Sequence, residues 1–277
     1  MKLLIFGDIV GKPGRSGVKR MLPIWRKKFS PDVVVANVEN IAHGKGIGIK
    51  QIQELRPPAG GGVDIFTGGN HSLEGKDFEK ILNDETLPIL RPANIPNAPG
   101  RGVLLHKLEI RNPKSETKQN VSLLVINLIG QVFMKQQYDN PFGAIDKILE
   151  EYGSATPYKI LDWHAEATSE KTVMGWYLDG KVSAVYGTHT HVPTADAKIL
   201  PKGTAYISDI GMTGPYNSVI GAEIEPATQR FKTGVKNPIQ PVESGDIEVN
   251  AIYLELDQNV SAVDIRHLRE IIPEDKI

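Results

Sequence analysis

The chain has 277 residues, of which 40% are hydrophobic and 23% charged, with 32 basic against 33 acidic side chains and a formal net charge of −1. That balance suits a soluble globular protein long enough to bury a core without staples, and it argues against coating nucleic acid through bulk electrostatics. The absence of cysteine excludes disulfides, thiolate metal sites and a cysteine nucleophile.

The first apolar run, Leu3–Phe6, reads as a strand and stops at Gly7-Asp8, too short for a signal peptide or a membrane span. A cytoplasmic enzyme is therefore expected. Val18, Met21, Leu22 and Trp25 recur at helical spacing, with Pro23 predicting a kink or restart inside the helix. Val33–Ala36 is a β-branched run suited to a strand buried on both faces. A short amphipathic segment around Ile52 and Leu55 ends at Pro57-Pro58, a flexible loop follows over Ala59–Gly62, and Val63–Thr67 restores a strand. Val103–Ile110 and Val121–Leu128 are strands flanking a polar stretch, Asn112–Asn120, expected as an exposed hairpin loop. Pro141–Tyr152 is helical, with Phe142, Ile145 and Leu149 on one face. Lys159–Trp163 is a strand, and Val173, Met174, Tyr177 and Leu178 mark another helix. Val182–Tyr186, Thr204–Ser208 and Glu248–Leu256 complete the expected strands. Early strand–helix alternation predicts parallel pairing and the later hairpins antiparallel pairing, so the fold class is α/β with mixed sheets. No linker or repeat divides the chain, and one domain over residues 1–277 is expected.

Five strand candidates end in residues able to ligate metal: Asp8; Glu39 and Asn40; Asn70 and His71; His164; and His189 with His191. Ligands in open α/β sheets bind beyond the carboxyl ends of the strands, so separate loops can bring these residues together. Each has a bland alternative as a turn residue, helix cap or solvated loop. The run Gly187-Thr188-His189-Thr190-His191 is the strongest signal, because residues two apart in extended chain point the same way and both imidazoles can reach one centre. Two carboxylates with two divalent cations leave such a site about +2, suited to an anionic phosphate. A donor set of imidazole, carboxylate and amide without sulfur favours Mn, Fe, Zn or Co over Cu(I). His43, His106 and His267 are left unassigned and expected to be exposed. Gly7–Lys12-Pro13 lacks the spacing of a Walker A loop, and Gly44–Gly48 is not a dinucleotide fingerprint. The basic residues from Lys12 to Lys28 read as a solvated helix face, with RNA docking as the alternative.

Gly7-Asp8-Ile9-Val10-Gly11, Glu39-Asn40, Gly69-Asn70-His71 and Gly187–His191 resemble the calcineurin-like metallophosphoesterases. More narrowly, the chain from Met1 to about Leu256 is similar to the bacterial YmdB-like family of 2′,3′-cyclic-nucleotide 2′-phosphodiesterases. The densest matching blocks are Leu90–Asn94, Asp162–Glu170, Gly175–Gly180 and Asp209–Pro215. The resemblance implies a four-layer α/β/β/α sandwich around a binuclear centre. One metal would take Asp8, Glu39, Asn40 and His191, the other Glu39, Asn70, His164 and His189, with Glu39 as the bridge. His71 matches the family's proton donor, and iron is the implied metal, with manganese or zinc as alternatives. The implied reaction opens a cyclic phosphodiester to a 3′-phosphate by attack of metal-bound hydroxide. Competing readings are a broader phosphatase, an RNA-processing phosphodiesterase, and a metal-binding regulatory protein with little turnover. Further copies of this chain are expected as partners, and no membrane. The chain departs from the wider superfamily where Val10 replaces the histidine of Asp-x-His and Glu39 replaces the bridging aspartate, changes the subfamily shares. It departs from the subfamily at Ser72–Gly75, where an aromatic-rich segment is usual, and at the loop over Pro57–Gly62.

Overall fold

A computed structural model describes residues 1–56, 61–111, 118–136, 138–236, 238 and 240–276. The elements in chain order are β1 (Lys2–Ile9), α1 (Gly11–Phe29), β2 (Val33–Asn37), α2 (Ile49–Leu55), β3 (Ile65–Thr67), α3 (Phe78–Leu82), β4 (Val103–Arg111), β5 (Lys118–Ile129), α4 (Pro141–Tyr152), β6 (Tyr158–His164), α5 (Thr168–Leu178), β7 (Ala184–Thr188), β8 (Lys198–Ile199), β9 (Ala205–Ile207), β10 (Met212–Pro215), α6 (Ile224–Thr233), β11 (Ile247–Leu256) and β12 (Ala262–Ile272).

The strands form two six-stranded sheets, ordered β12-β11-β10-β1-β2-β3, with β11 also pairing β1, and β4-β5-β6-β7-β9-β8. β1, β2 and β3 pair in parallel, as do β5, β6, β7 and β9, while β4–β5 and β11–β12 are antiparallel. Period-two alternation sorts the apolar side chains into three layers. Leu4, Phe6, Val34 and Ala36 pack outward against Val18, Leu22 and Trp25 of α1. Leu3, Ile5, Val33 and Val35 face the other sheet and meet Leu123, Val125, Ile160 and Tyr186. Leu124, Leu161 and Val185 cover α4 and α5 on the far side. The result is the four-layer α/β/β/α sandwich that the resemblance implies, with mixed sheets. Among the described residues, no helix is long and apolar enough to cross a membrane.

Several expectations need correction. α1 runs as one 19-residue helix through Pro23 and does not restart there. β7 begins two residues later than expected and passes through Gly187, because its pairing with β6 continues to His164 and Thr188. β12 is absent from the sequence reading, since a partly exposed edge strand bearing Asp264, Arg266, Arg269 and Glu270 carries no apolar alternation. α6 was likewise missed, because only its Ala227 is buried and it shows no apolar stripe to read. Of the expected hairpin loop, residues 112–117 lie outside the described residues, whereas Lys118–Asn120 belong to β5. The loop expected after Leu55 falls mainly on residues 57–60, also outside them. His43 is exposed as expected, but His106 and His267 are half-buried, and His267 donates Nε2–H to the Ile210 carbonyl at 3.0 Å. On the basic face of α1, Lys12, Lys19, Arg20, Lys27 and Lys28 are exposed as expected, but Arg15 and Arg26 are partly buried, and Arg15 and Lys19 both pair with Glu54 of α2.

Candidate metal centre

The carboxyl ends of the parallel strands converge on one edge of the sandwich. Asp8 lies inside β1, not beyond it. Strict alternation would turn it outward with Leu4 and Phe6, but a bulge between Phe6 and Asp8 puts it in register with Asn37, on the face toward the second sheet. Gly7 is required at that bulge, because a Cβ there would lie 1.8 Å from the Gly211 carbonyl oxygen. Asp8 is completely buried; its Oδ2 accepts the His189 backbone N–H at 3.1 Å, while its Oδ1 has no hydrogen-bond partner.

The turn after β2 is set by Asn37, whose Oδ1 accepts the Glu39 backbone N–H at 3.1 Å. Glu39 is thereby buried beneath the loop that follows β3. Its Oε2 accepts the His71 backbone N–H at 2.9 Å, and its Oε1 accepts the Asn40 amide at 3.0 Å. Asn40 also lies 3.2 Å from His191 Nε2 through its Nδ2. A half-turn about χ2 would present Oδ1, an atom able to ligate a cation, in its place.

His164 is the last residue of β6, fully buried, and its Nε2 is the focus of the site. Asn70 Oδ1 lies 2.9 Å from it, His189 Nδ1 3.1 Å and Glu39 Oε2 3.4 Å. Atoms bound about 2.1 Å from a common cation stand roughly 3.0–3.4 Å apart in octahedral or tetrahedral geometry, so this spacing is that of a ligand shell. Glu39, His164 and His189 form one triad and Asp8, Glu39 and His191 a second, with the ligating atoms of each within 4.8 Å of one another. Gly69 leaves room for them: a Cβ would sit 2.3 Å from both Glu39 Oε2 and His164 Nε2.

His189 and His191 reach the centre differently from the sequence expectation. Both lie beyond β7 with positive φ, 99° and 66°, so extended alternation does not align them. They enter separate triads instead. Left-handed backbone at a non-glycine residue costs about 1–3 kcal/mol and needs over-determined surroundings. Here Asp209 Oδ2 accepts both N–H and O–H of Thr190, at 3.2 and 2.8 Å, and the Met212 N–H donates to the His191 carbonyl at 3.0 Å. Lys171, buried on α5, ties Asp209 to the Thr188 carbonyl.

The electrostatics describe a pocket short of positive charge. Burial opposes the His164 imidazolium, but Glu39, Asp8 and Asp162 around it raise its pKa to about 9. Burial and the neighbouring His164 charge push His189 down to about 3. Burial raises Glu39, yet His164 and His71 outweigh it and hold the carboxyl well below the usual range. Burial raises the Asp8 carboxyl. Asn70 Oδ1, His189 Nδ1, Glu39 Oε2 and His164 Nε2 thus face one space, with the unpartnered Asp8 oxygen beside them. The donor chemistry, the orphaned Asp8 oxygen and the Gly69 gap all fit divalent cations.

His71 stands apart from the triads. Its half-buried ring places Nδ1 2.9 Å from Glu74 Oε1, and Lys45 Nζ holds the other Glu74 oxygen at 2.8 Å. Glu74 and Glu166, which lies 2.9 Å from His189 Nε2, were not singled out in the sequence. Their signal was position: both fall within a few residues of a candidate ligand, Glu74 inside the departing Ser72–Gly75 segment and Glu166 inside the Asp162–Glu170 block.

The YmdB-like protein family matches residues 4–268, and the chain belongs to it. The chain is 42% identical over 271 residues to the 2′,3′-cyclic-nucleotide 2′-phosphodiesterase of Bacillus subtilis, covering 97% of this chain and 96% of that one. A structure described as a hypothetical protein from Thermus thermophilus superposes with a TM-score of 0.86 at 40% identity, covering 99% of this chain and all of that one. A Mycoplasma pneumoniae structure described as a novel phosphatase gives 0.87 at 31%, covering 99% of this chain and 94% of that one.

Proposed function

We propose that the chain is a two-metal phosphodiesterase that opens 2′,3′-cyclic nucleotides to 3′-phosphates. The observation that carries the reading is the sharing of Glu39 by two ligand triads, an arrangement a single cation does not need. The activity named for the Bacillus subtilis relative supports the substrate class.

Asp8, Asn40 and His191 would hold one cation and Asn70, His164 and His189 the other, with Glu39 between them. Two divalent ions, iron first and manganese or zinc as alternatives, would supply Lewis acidity for activating water and for neutralising the phosphate oxygens. His71 contributes the proton. With Nδ1–H donated to Glu74, the ring is oriented and Nε2 is free to serve the leaving oxygen. The hydroxide of a water adds to phosphorus and its other proton passes to solvent; the bond from phosphorus to the 2′ oxygen breaks, that oxygen leaves as a hydroxyl with the His71 proton, and solvent reprotonates His71. The tie from the His71 backbone N–H to Glu39 keeps acid and metal centre in fixed relation.

The test compares 2′,3′-cyclic AMP, a linear dinucleotide and a phosphate monoester on one metallated sample. The reading predicts fastest turnover of the cyclic substrate with 3′-AMP as sole product. Release of 2′-AMP, or faster hydrolysis of the monoester, would contradict it.

A further inference from the structure

The inward faces of the central strands change character at one level. Val35, Ile65, Val125, Ile160 and Tyr186 close the apolar core between the sheets. Two residues further along each strand stand Asn37, Thr67, Asn127, Asp162 and Thr188, all buried. This polar layer separates the apolar core from the metal centre, and its one carboxylate, Asp162, does none of the chemistry described above.

The hydrogen bonds of Asp162 have one consistent direction. Its Oδ2 accepts from the Thr67 hydroxyl and from Asn37 Nδ2, the latter at 3.1 Å. Its Oδ1 accepts from the Thr188 hydroxyl at 2.7 Å. A hydroxyl has one hydrogen, and Asp162 takes it. Thr188 Oγ1 can therefore only accept at its other contacts, Asn37 Nδ2 at 3.5 Å and His164 Nδ1 at 2.9 Å. That requires the hydrogen of His164 on Nδ1. Nε2, which faces Asn70, His189 and Glu39, is left as the lone-pair atom.

We propose that Asp162 and Thr188 are positioning residues that fix the His164 tautomer, holding Nδ1 protonated and Nε2 ready for a divalent cation. The proposal rests on the two-metal reading of the centre. It differs from a generic packing role because it depends on the direction of one hydrogen bond. Thr188 is pinned for the task by pairing with His164 at the end of β7, and Lys171 holds its carbonyl at 2.9 Å.

Thr188→Val keeps the shape and β-branching but removes the relay, whereas Thr188→Ser keeps the hydroxyl. The probe is Mn(II), titrated into metal-free protein with stoichiometry and affinity read for each site. Wild type should bind two ions per chain. Thr188→Val should weaken one of them by about 10–100-fold, the usual worth of a partner behind a histidine ligand, and Thr188→Ser should restore it to within a few-fold. If wild type binds two ions and Thr188→Val binds both as tightly, the relay is overturned while the two-metal reading stands. If wild type binds none, the two-metal reading falls and the relay with it. Should Thr188→Val fail to fold, nitrogen NMR of histidine side chains in the Zn(II)-loaded wild type decides. His164 protonated at Nδ1 and metallated at Nε2 supports the relay, and the reverse assignment overturns it.

Discussion

His71 follows Asn70 directly, yet the two side chains serve different partners. Asn70 Oδ1 faces His164 Nε2 at 2.9 Å, while the His71 ring turns to Glu74 at the same separation. If His71 is the general acid, His71→Ala keeps both metals and the fold and loses about 10²–10⁴-fold in turnover of a cyclic nucleotide. The loss shrinks on a nitrophenyl phosphodiester, whose leaving group needs little protonation. Equal losses on both substrates would make His71 a phosphate-positioning residue, and loss of metal would make it a ligand. The candidate residues were legible because each is a metal-competent type at the end of an apolar run. Asp162 and Thr188 were not, although Leu161-Asp162-Trp163-His164 and Tyr186-Gly187-Thr188 carry the signal. In both, a polar side chain takes the inward position of an otherwise apolar strand, which alternation shows only once the inward face is known.

Glycines set the geometry at the element scale, and two of them separate site from scaffold. Gly69 has an ordinary φ, so alanine is excluded only by the ligand atoms 2.3 Å from its Cβ, and those belong to side chains that can yield. Gly7 would meet the Gly211 backbone carbonyl at 1.8 Å, where β1 and the segment before β10 approach each other. Gly69→Ala is therefore expected to lower bound metal while leaving the melting temperature of the metal-free chain within a few degrees. Gly7→Ala is expected to lower that temperature sharply with or without metal. Equal thermal effects would show that the Gly69 loop is part of the scaffold. The strands and helices around these glycines were readable where apolar periodicity was strong, as in α4, found over its whole length. Helix α6 and edge strand β12 were lost because exposed elements have little apolar face to display. The His189–His191 segment was misjudged in conformation because Asp209 and Lys171, far off in sequence, hold it left-handed.

The whole molecule is two sheets that each carry half of a site. Asp8, Glu39, Asn40 and Asn70 come from the first sheet and its loops, and His164, His189 and His191 from the second. An ion bound between them links the sheets, and unfolding separates its ligands. Chelation should therefore lower the melting temperature by roughly 5–10 °C for metal held at a hundred times its Kd, read by thermal scans with and without chelator. No change would mean that no cation is held across the sheets. The sequence could place the candidate ligands at strand ends but not allot them to sheets, because strand order depends on the non-local pairings of β10 and β11 with β1. The central claim is that one carboxylate, Glu39, joins two cations, and metal counting on anaerobically purified protein tests it most directly. Wild type should carry about two ions per chain, and Glu39→Gln, which removes the shared charge, one or none. Two tightly held ions in Glu39→Gln, or no bound metal in wild type, would contradict it.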